Sequence, residues 1–137
     1  MVKPIMRDIF FLGQKSEEAN IADDIATATD LQDTLSANKD RCIGMAANMI
    51  GVKKRIIIVN MGFVSVVMFN PVILKNDSPY EAEEGCLSLD GTRKTARYRN
   101  IELEYTDMGG KRQKQKYSGQ IAQIIQHECD HLDGIII

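Results

Sequence analysis

The residues best suited to chemistry lie in one short stretch near the end of the 137-residue chain, His127-Glu128-Cys129-Asp130-His131. Residues four apart on an α-helix differ by about 40° around its axis, so His127 and His131 project from one face and can bind one metal ion. Glu128 can then reach a metal-bound water as a general base. The alternative is a pair of surface histidines on an ordinary helix, although the chain contains only 2 histidines. The stretch therefore predicts a hydrolytic metal site.

A catalytic site of this kind needs a third protein ligand and an open position for water. Cys86 is the natural candidate, because it follows Glu-Gly and precedes Leu87-Ser88-Leu89, which is predicted to be a short strand. Cys129 points about 200° away from His127 on the helix and is predicted to be a core residue, as is Cys42 among its small neighbours. Three cysteines are an odd and sparse set, which favours a reducing compartment over a disulfide scaffold.

Composition limits the function classes that need consideration. With 44 % hydrophobic and 26 % charged residues, the chain is predicted to form one folded domain over residues 1–137. A net charge of −2 argues against stable nucleic-acid binding. Apolar runs stay far below the roughly 20 residues of a membrane span. We therefore expect a cytoplasmic protein that binds neither membrane nor nucleic acid.

Two helices are predicted from apolar residues at three- and four-residue steps. The first runs from Ala19 to about Ala37, and Thr29-Asp30 can break it, so one helix or two short ones remain open. The second runs from Gly119 to about Leu132 with Gly134 as its stop, and it carries the two histidines.

Strands are predicted between the two helices. Ile56–Val59 is a β-branched run, and Phe63–Phe69 follows a turn, so the pair is predicted to form a hairpin. Asn70-Pro71 is predicted to interrupt the chain before a short strand at Val72–Leu74. Ile101–Tyr105 alternates as a half-exposed strand does. The predicted fold class is α+β, with antiparallel β-sheets around the C-terminal metal-binding helix and the N-terminal helix packed outside.

Three motifs in fixed order resemble the peptide deformylases, which carry Gly-x-Gly-x-Ala-Ala-x-Gln, Glu-Gly-Cys-Leu-Ser and Gln-His-Glu-x-Asp-His-Leu. This chain has Cys42-Ile43-Gly44-Met45-Ala46-Ala47-Asn48-Met49, then Glu84-Gly85-Cys86-Leu87-Ser88, then Gln126-His127-Glu128-Cys129-Asp130-His131-Leu132. The second and third motifs are intact and the first is altered. The resemblance covers roughly residues 20–137 and rests on a highly specific pair of motifs.

The resemblance implies a metal hydrolase that removes the N-formyl group from nascent polypeptides beginning with formyl-methionine, as they emerge from the ribosome. Cys86, His127 and His131 would bind the metal, Fe(II) by preference, with zinc, nickel or cobalt as substitutes. Glu128 would move a proton from water to the departing amine. The metal and the Leu87 backbone N–H would hold the oxyanion.

The resemblance also implies residues that bind substrate and residues that position the ligands. The substrate backbone would pair with Ile43-Gly44 and with Gly85. Gln120, Gln123 and Ile124 would lie at the pocket for the methionine side chain, although both glutamines can instead face solvent or tie the helix to a strand. Three charged residues would orient the metal ligands or hold the helix in place: Glu84, Arg97 and Asp130. The alternative is that they are ordinary surface charges.

Met49 is the main departure from the family pattern, because it stands where the family has a glutamine that donates to the oxyanion. Losing one such donor costs about 2.7–4 kcal/mol. Asn48 could replace it only through a bulge, since neighbours in a strand face opposite sides, and otherwise it serves a turn. The alternative function is therefore a deformylase-like protein that has little or no activity or acts on another formylated or acylated amine. A peptidase is disfavoured, because zinc peptidases with this helix motif do not use a ligand like Cys86.

Overall fold

The computed structural model describes residues 1–137 and contains three α-helices, one 3-10 helix and five strands. The helices are α1 Ile9–Leu12, α2 Ile21–Ala37, the 3-10 helix Ala47–Ile50, and α3 Gly119–Leu132. The strands are β1 Gly44–Ala46, β2 Ile56–Asn60, β3 Ser65–Gly85, β4 Thr92–Thr106 and β5 Arg112–Ser118. They form one antiparallel sheet in the order β1-β2-β3-β4-β5, so β1 is an edge strand.

Strand β2 lies at the centre of the hydrophobic core, and its apolar residues face both sides of the sheet. Ile56 and Ile58 join a buried cluster with α2, which includes Leu31. Ile57 joins a second cluster with α3, which includes Ile125. A strand that is buried on both faces needs a continuous apolar run rather than an alternating one, as this sequence has. The antiparallel sheet with the C-terminal helix on one face and the N-terminal helix on the other confirms the predicted α+β class.

Helix α2 is continuous, which settles the choice between one helix and two. The Asn20 side chain caps its first turn by accepting from the N–H groups of Ala22 and Asp23. Thr29 lies within the helix, and its hydroxyl donates to the Ile25 carbonyl at 3.3 Å. Helix α2 has 17 residues, and no helix of the structure combines the length and apolar character needed to cross a membrane.

The predicted interruption at Asn70-Pro71 is wrong, because strand β3 continues through both residues. Its pairing with β4 shifts register between Phe69 and Val72, as a bulge does. Asn70 has a positive φ of 52°, and its side chain bonds the backbone N–H and C=O of Ala19 at 2.8 and 2.9 Å. A bulge also accommodates the missing N–H of proline. Val72–Leu74 is thus part of one long strand.

Two other strand boundaries differ from those predicted. Strand β3 begins at Ser65, because Met61 donates to the carbonyl of Val64 and closes the turn that contains Phe63. Strand β4 begins at Thr92, well before Ile101, and its first half pairs with the end of β3. The long β3–β4 hairpin brings Glu84 and Gly85, at the end of β3, next to helix α3.

Candidate metal centre and active site

Three side chains from two distant parts of the chain place metal-binding atoms close together. The sulfur of Cys86 and one ring nitrogen each of His127 and His131 lie within 4.8 Å of one another. The histidines are four residues apart on α3, and the cysteine follows the last residue of β3. Both histidines are buried and Cys86 is half-buried. One thiolate and two imidazoles form a donor set that suits late first-row divalent metals.

The residues after Cys86 form a turn and not the predicted short strand. The Leu89 N–H donates to the Cys86 carbonyl at 3.1 Å. The Leu87 carbonyl accepts from Arg7 Nη1 at 2.9 Å, and a second guanidinium nitrogen of Arg7 donates to Asp90 at 2.9 Å. The Leu87 N–H has no acceptor within the protein. Arg7 in the N-terminal segment therefore holds the turn that contains the Leu87 N–H, and Leu87 lines the cavity.

Glu84 fixes the orientation of the His127 ring. His127 Nδ1 donates to Glu84 Oε1 at 2.8 Å, which leaves its Nε2 facing His131 Nε2 at 2.9 Å. A histidine whose other nitrogen is held by a carboxylate keeps the tautomer and the basicity that metal binding needs. Burial lowers the pKa of His127, but hydrogen bonds to Cys86 and Glu84 outweigh it and raise the pKa to about 10. Burial and the neighbouring His127 lower the pKa of His131 to about 3. The two Nε2 atoms therefore face each other at a distance at which both rings could contact one cation.

Glu84 is also held by a buried arginine and a glutamine. Arg97 donates to both Glu84 oxygens, at 2.7 and 2.9 Å, and to Asp130 Oδ2 at 2.7 Å. Gln123 Nε2 donates to Glu84 Oε2 at 2.9 Å. Burial raises the pKa of Glu84, but hydrogen bonds from His127, Arg97 and Gln123 prevail and lower it to about 2. Glu84 and Arg97 are 8 % and 3 % exposed, so they are not ordinary surface charges.

Replacing Arg97 with methionine is expected to destabilise the protein by about 3–5 kcal/mol, because Glu84 then keeps a buried charge without its cation. Urea unfolding measures the change in the free energy of unfolding. Arg93→Met on the same strand is the control, because Arg93 makes no ion pair, and its loss should be far smaller. Equal losses in the two variants would contradict a special role for the Arg97 pairs.

Glu128 lines the cavity and carries a buried oxygen that has no hydrogen-bond partner. Its side chain is buried, and Oε1 has no hydrogen-bond partner in the protein. Burial raises the pKa of Glu128 to about 7. A carboxyl group that ionises near neutrality can both take up and release a proton. The unpaired oxygen beside the thiolate and imidazole donors fits a site that binds a metal ion and water.

A cavity of about 470 Å³ opens above these groups and contains most of the residues that the sequence singled out. The metal-site residues in its wall are Cys86, His127 and Glu128. The other predicted residues in its wall are Ile43, Gly44, Met49, Glu84, Gly85, Leu87, Gln120, Gln123 and Ile124. Three of the predicted residues do not line the cavity and instead contact residues near it: His131, Arg97 and Asp130.

Gly44 is the point of closest approach between the edge strand and α3. A Cβ at this position would lie 2.7 Å from Ile124 Cγ2 and 3.0 Å from Glu128 Oε2. It would also lie 3.2 Å from the Ile58 carbonyl oxygen, so the strand cannot simply move away. Only glycine lets β1 pass this close to the carboxylate.

Gly44→Ala is expected to lower kcat/KM by on the order of 100-fold, because Glu128 must shift and a displacement of about 1 Å costs that much. Steady-state turnover of a formylated peptide measures it. Gly109→Ala is the control, because Gly109 lies in the distant β4–β5 turn and its added Cβ meets only a side chain, at 3.3 Å. Unchanged turnover in Gly44→Ala would show that the approach does not matter.

The strand geometry assumed for Asn48 and Met49 is wrong, because both lie in the 3-10 helix. Met49 is 1 % exposed, lines the cavity, and accepts at Sδ from the Ala46 N–H at 3.4 Å. Asn48 does not line the cavity and neither replaces the missing donor nor simply serves a turn. Its Nδ2 donates to the His131 carbonyl at 2.8 Å, which ties the 3-10 helix to the end of α3.

Gln123 both lines the cavity and ties α3 to β3. Its amide bonds Glu84, and it accepts from the Tyr80 hydroxyl at 3.3 Å. Gln120 lies one helical turn nearer the start of α3 and is exposed at the cavity. Cys42 packs against the core cluster, which agrees with the prediction, but it is only half-buried and also lines the cavity. Cys129 is buried in the core as predicted.

Three polar residues that support the site or line its cavity were not predicted from the sequence. Gln126 fastens α3 to β4 by bonding the backbone N–H and C=O of Tyr98 at 2.9 and 2.8 Å. It stands beside His127 in the third motif, so its position was a usable signal. Arg7 and Arg41, by contrast, lie in stretches without any pattern that points to the cavity.

One thiolate and two imidazoles that could hold a metal ion, with a buried carboxyl group in the same cavity, are the arrangement expected of a metal-dependent hydrolase. The family model for polypeptide deformylase matches residues 6–137. The chain is 58 % identical over 137 residues to the peptide deformylase of Clostridium beijerinckii, covering 100 % of both chains. The chain belongs to the polypeptide deformylase family. Its members are hydrolases that remove the formyl group from polypeptides.

Solved structures agree with this assignment. A peptide deformylase from Thermotoga maritima matches with a TM-score of 0.89 at 25 % identity, over 99 % of this chain and 95 % of that one. A class I type b peptide deformylase from Acinetobacter baumannii, bound to Met-Ala-Ser, matches with a TM-score of 0.86 at 27 % identity, over 99 % of this chain and 97 % of that one.

Proposed function

We propose that this chain hydrolyses the N-formyl group of formyl-methionyl polypeptides at the cavity between β1 and the Cys86 turn, with Glu128 as the base. The observation that carries the proposal is the unpaired, buried Glu128 oxygen beside the cluster of Cys86, His127 and His131. Cys86, His127 and His131 would hold a divalent metal, which would supply Lewis acidity toward the formyl carbonyl and toward water.

Glu128 moves the proton in this reaction. It takes a proton from water as the water oxygen bonds to the formyl carbon, and it delivers that proton to the peptide nitrogen as the C–N bond breaks. The products are formate and a free amino terminus. The pKa of about 7 suits both halves of the transfer.

The Leu87 N–H supports the negative charge that develops on the formyl oxygen. It has no acceptor in the protein and lies in a turn that Arg7 anchors through the Leu87 carbonyl. A donor fixed in advance stabilises a developing oxyanion without reorganisation. Met49, which also lines the cavity, offers a thioether and donates nothing.

The peptide backbone pairs with β1. This strand is bonded only to β2, so its other edge at Ile43-Gly44 is free to pair with an extended chain. Gly85 also lines the cavity. An antiparallel peptide with its formyl group at Glu128 would run outward past Ile43, and Gln120, Gln123 and Ile124 would surround the methionine side chain. The Met-Ala-Ser complex of the Acinetobacter protein supports such a peptide-binding cavity.

The metal in the cell is proposed to be Fe(II). One thiolate and two imidazoles also accept zinc, nickel or cobalt, so metal availability contributes to the choice. Metal analysis after anaerobic purification tests this point, and a chain loaded with zinc under iron-replete conditions would contradict it. We place the enzyme in the cytoplasm, near ribosomes, where its substrates emerge.

Product analysis with paired substrates tests the function. The metal-loaded protein should release formate from formyl-Met-Ala-Ser and a negligible amount of acetate from acetyl-Met-Ala-Ser. Release of acetate at a similar rate would favour the alternative of a hydrolase for other acylated amines. Absence of formate release with every metal tested would favour a protein without activity. The 58 % identity to a peptide deformylase supports the first outcome.

A further inference from the structure

Arg41 is an unexpected cation at the mouth of the cavity. Among the residues that line the cavity it is the one arginine or lysine, and it is exposed. Glu83 and Glu84 line the same cavity, and Glu84 is neutralised by Arg97. The cavity lining therefore contains one cation, Arg41, and one carboxylate without a partner cation, Glu83.

The Arg41 guanidinium is held in position but has no ionic partner. Its Nη2 donates to Asn38 Oδ1 at 2.8 Å. The buried Asn38 is itself fixed, since its Nδ2 donates to the Thr34 carbonyl at 2.8 Å at the end of α2. Arg41 takes part in none of the ion pairs of the structure. A positioned guanidinium with free N–H groups is suited to bind a carboxylate through two parallel hydrogen bonds.

The chain direction puts Arg41 beside the part of the substrate that leaves the cavity. Arg41 lies three residues before Gly44, in the turn that leads from α2 to β1, where its N–H donates to the Asn38 carbonyl at 2.9 Å. Arg41 and Gly44 line the same cavity, and a Cβ on Gly44 would lie 3.0 Å from Glu128. A peptide that pairs antiparallel with β1 would leave Gly44 on the side of this turn, so its second or third residue would pass the guanidinium.

We infer that Arg41 is a specificity-determining residue, which favours formylated chains with an acidic side chain at the second or third position. This inference rests on the proposed function and names the substrate class for the same cavity. Glu83 also lines the cavity and repels an acidic side chain, so the preference requires that this side chain lie nearer to Arg41 than to Glu83.

The test compares kcat/KM for matched peptides with amidated C-termini. The pairs are formyl-Met-Asp-Ala-amide with formyl-Met-Asn-Ala-amide, and formyl-Met-Ala-Asp-amide with formyl-Met-Ala-Asn-amide. In at least one pair the wild-type protein should prefer aspartate over asparagine by about 3- to 10-fold. Arg41→Gln should bring that ratio to about 1, and Arg41→Glu should bring it below 1. The wild-type ratio should also fall as sodium chloride rises.

Lys39→Gln is the matched control, because Lys39 is an exposed cation near Arg41 that does not line the cavity. Its ratio should equal that of the wild type. A wild-type ratio of 1 or less in both pairs, or an unchanged ratio in Arg41→Gln, would overturn the inference while formate release continued. Absence of formate from all four peptides would instead contradict the proposed function and remove the basis of the inference.

Discussion

Glu128→Gln is expected to lower kcat for formate release by about 100- to 10,000-fold, the usual contribution of a general base. The amide has nearly the shape of the carboxylate but cannot take a proton from water. The side chain is buried, lines the cavity and belongs to no ion pair, so the fold should survive the change. The measurement is kcat with formyl-Met-Ala-Ser.

Metal content separates a chemical defect from a binding defect in this variant. Glu128→Gln should retain one metal ion per chain, because Glu128 is not among the three clustered ligands. Glu81→Gln, an exposed carboxylate on β3, is the control and should keep wild-type turnover. If Glu128→Gln kept its metal and more than about a tenth of the wild-type kcat, Glu128 would not be the base.

Met49→Gln is expected to raise kcat, by up to about 100-fold, because it adds one donor for the oxyanion. The two side chains have similar length, and the site can accommodate an amide. The glutamine oxygen can take the place of Met49 Sδ as acceptor for the Ala46 N–H, which leaves Nε2 directed at the cavity. Steady-state turnover of formyl-Met-Ala-Ser measures the gain.

Met49→Leu is the matched control, since leucine fills the space without donating a hydrogen bond. It should leave kcat within a few fold of the wild type. Equal values for Met49→Gln and Met49→Leu would show that the missing donor does not limit this enzyme. The Leu87 N–H and the metal would then account for the oxyanion without help from position 49.

Helix α3, which carries two of the proposed metal ligands, could be predicted because the sequence signals for it are local. The apolar stripe of α3 and the four-residue spacing of His127 and His131 follow from helix geometry alone. The Glu-Gly-Cys-Leu-Ser motif was enough to propose Cys86 as a metal ligand, although the turn that follows it was not predicted. The comparison with the deformylases then confirmed the family and the fold.

The errors fall where long-range contacts decide the backbone. Asn70-Pro71 resembles a strand break, yet Ala19, 51 residues away, holds Asn70 in a bulge. The backbone near Asn48 forms a 3-10 helix tied to the His131 carbonyl, 83 residues away. Neither partner is visible in a sequence window around the residue concerned.

The charged residues behind the site show the same limit. Sequence alone left open whether Glu84, Arg97 and Asp130 were surface charges, because charge and spacing do not reveal burial. The structure buries Glu84 and Arg97 together against His127. Arg7 donates a hydrogen bond to the Leu87 carbonyl, 80 residues away, and no local sequence pattern predicts that contact.

A metal titration of the metal-free protein tests the central claim most directly. Formate release from formyl-Met-Ala-Ser should be absent after chelation, rise linearly with added Fe(II), nickel or cobalt, and reach its plateau at one ion per chain. Cys86→Ala, measured in parallel, should neither retain an ion after desalting nor recover activity. Formate release that persists without metal, or full activity in Cys86→Ala, would contradict the claim that Cys86, His127 and His131 hold the catalytic ion.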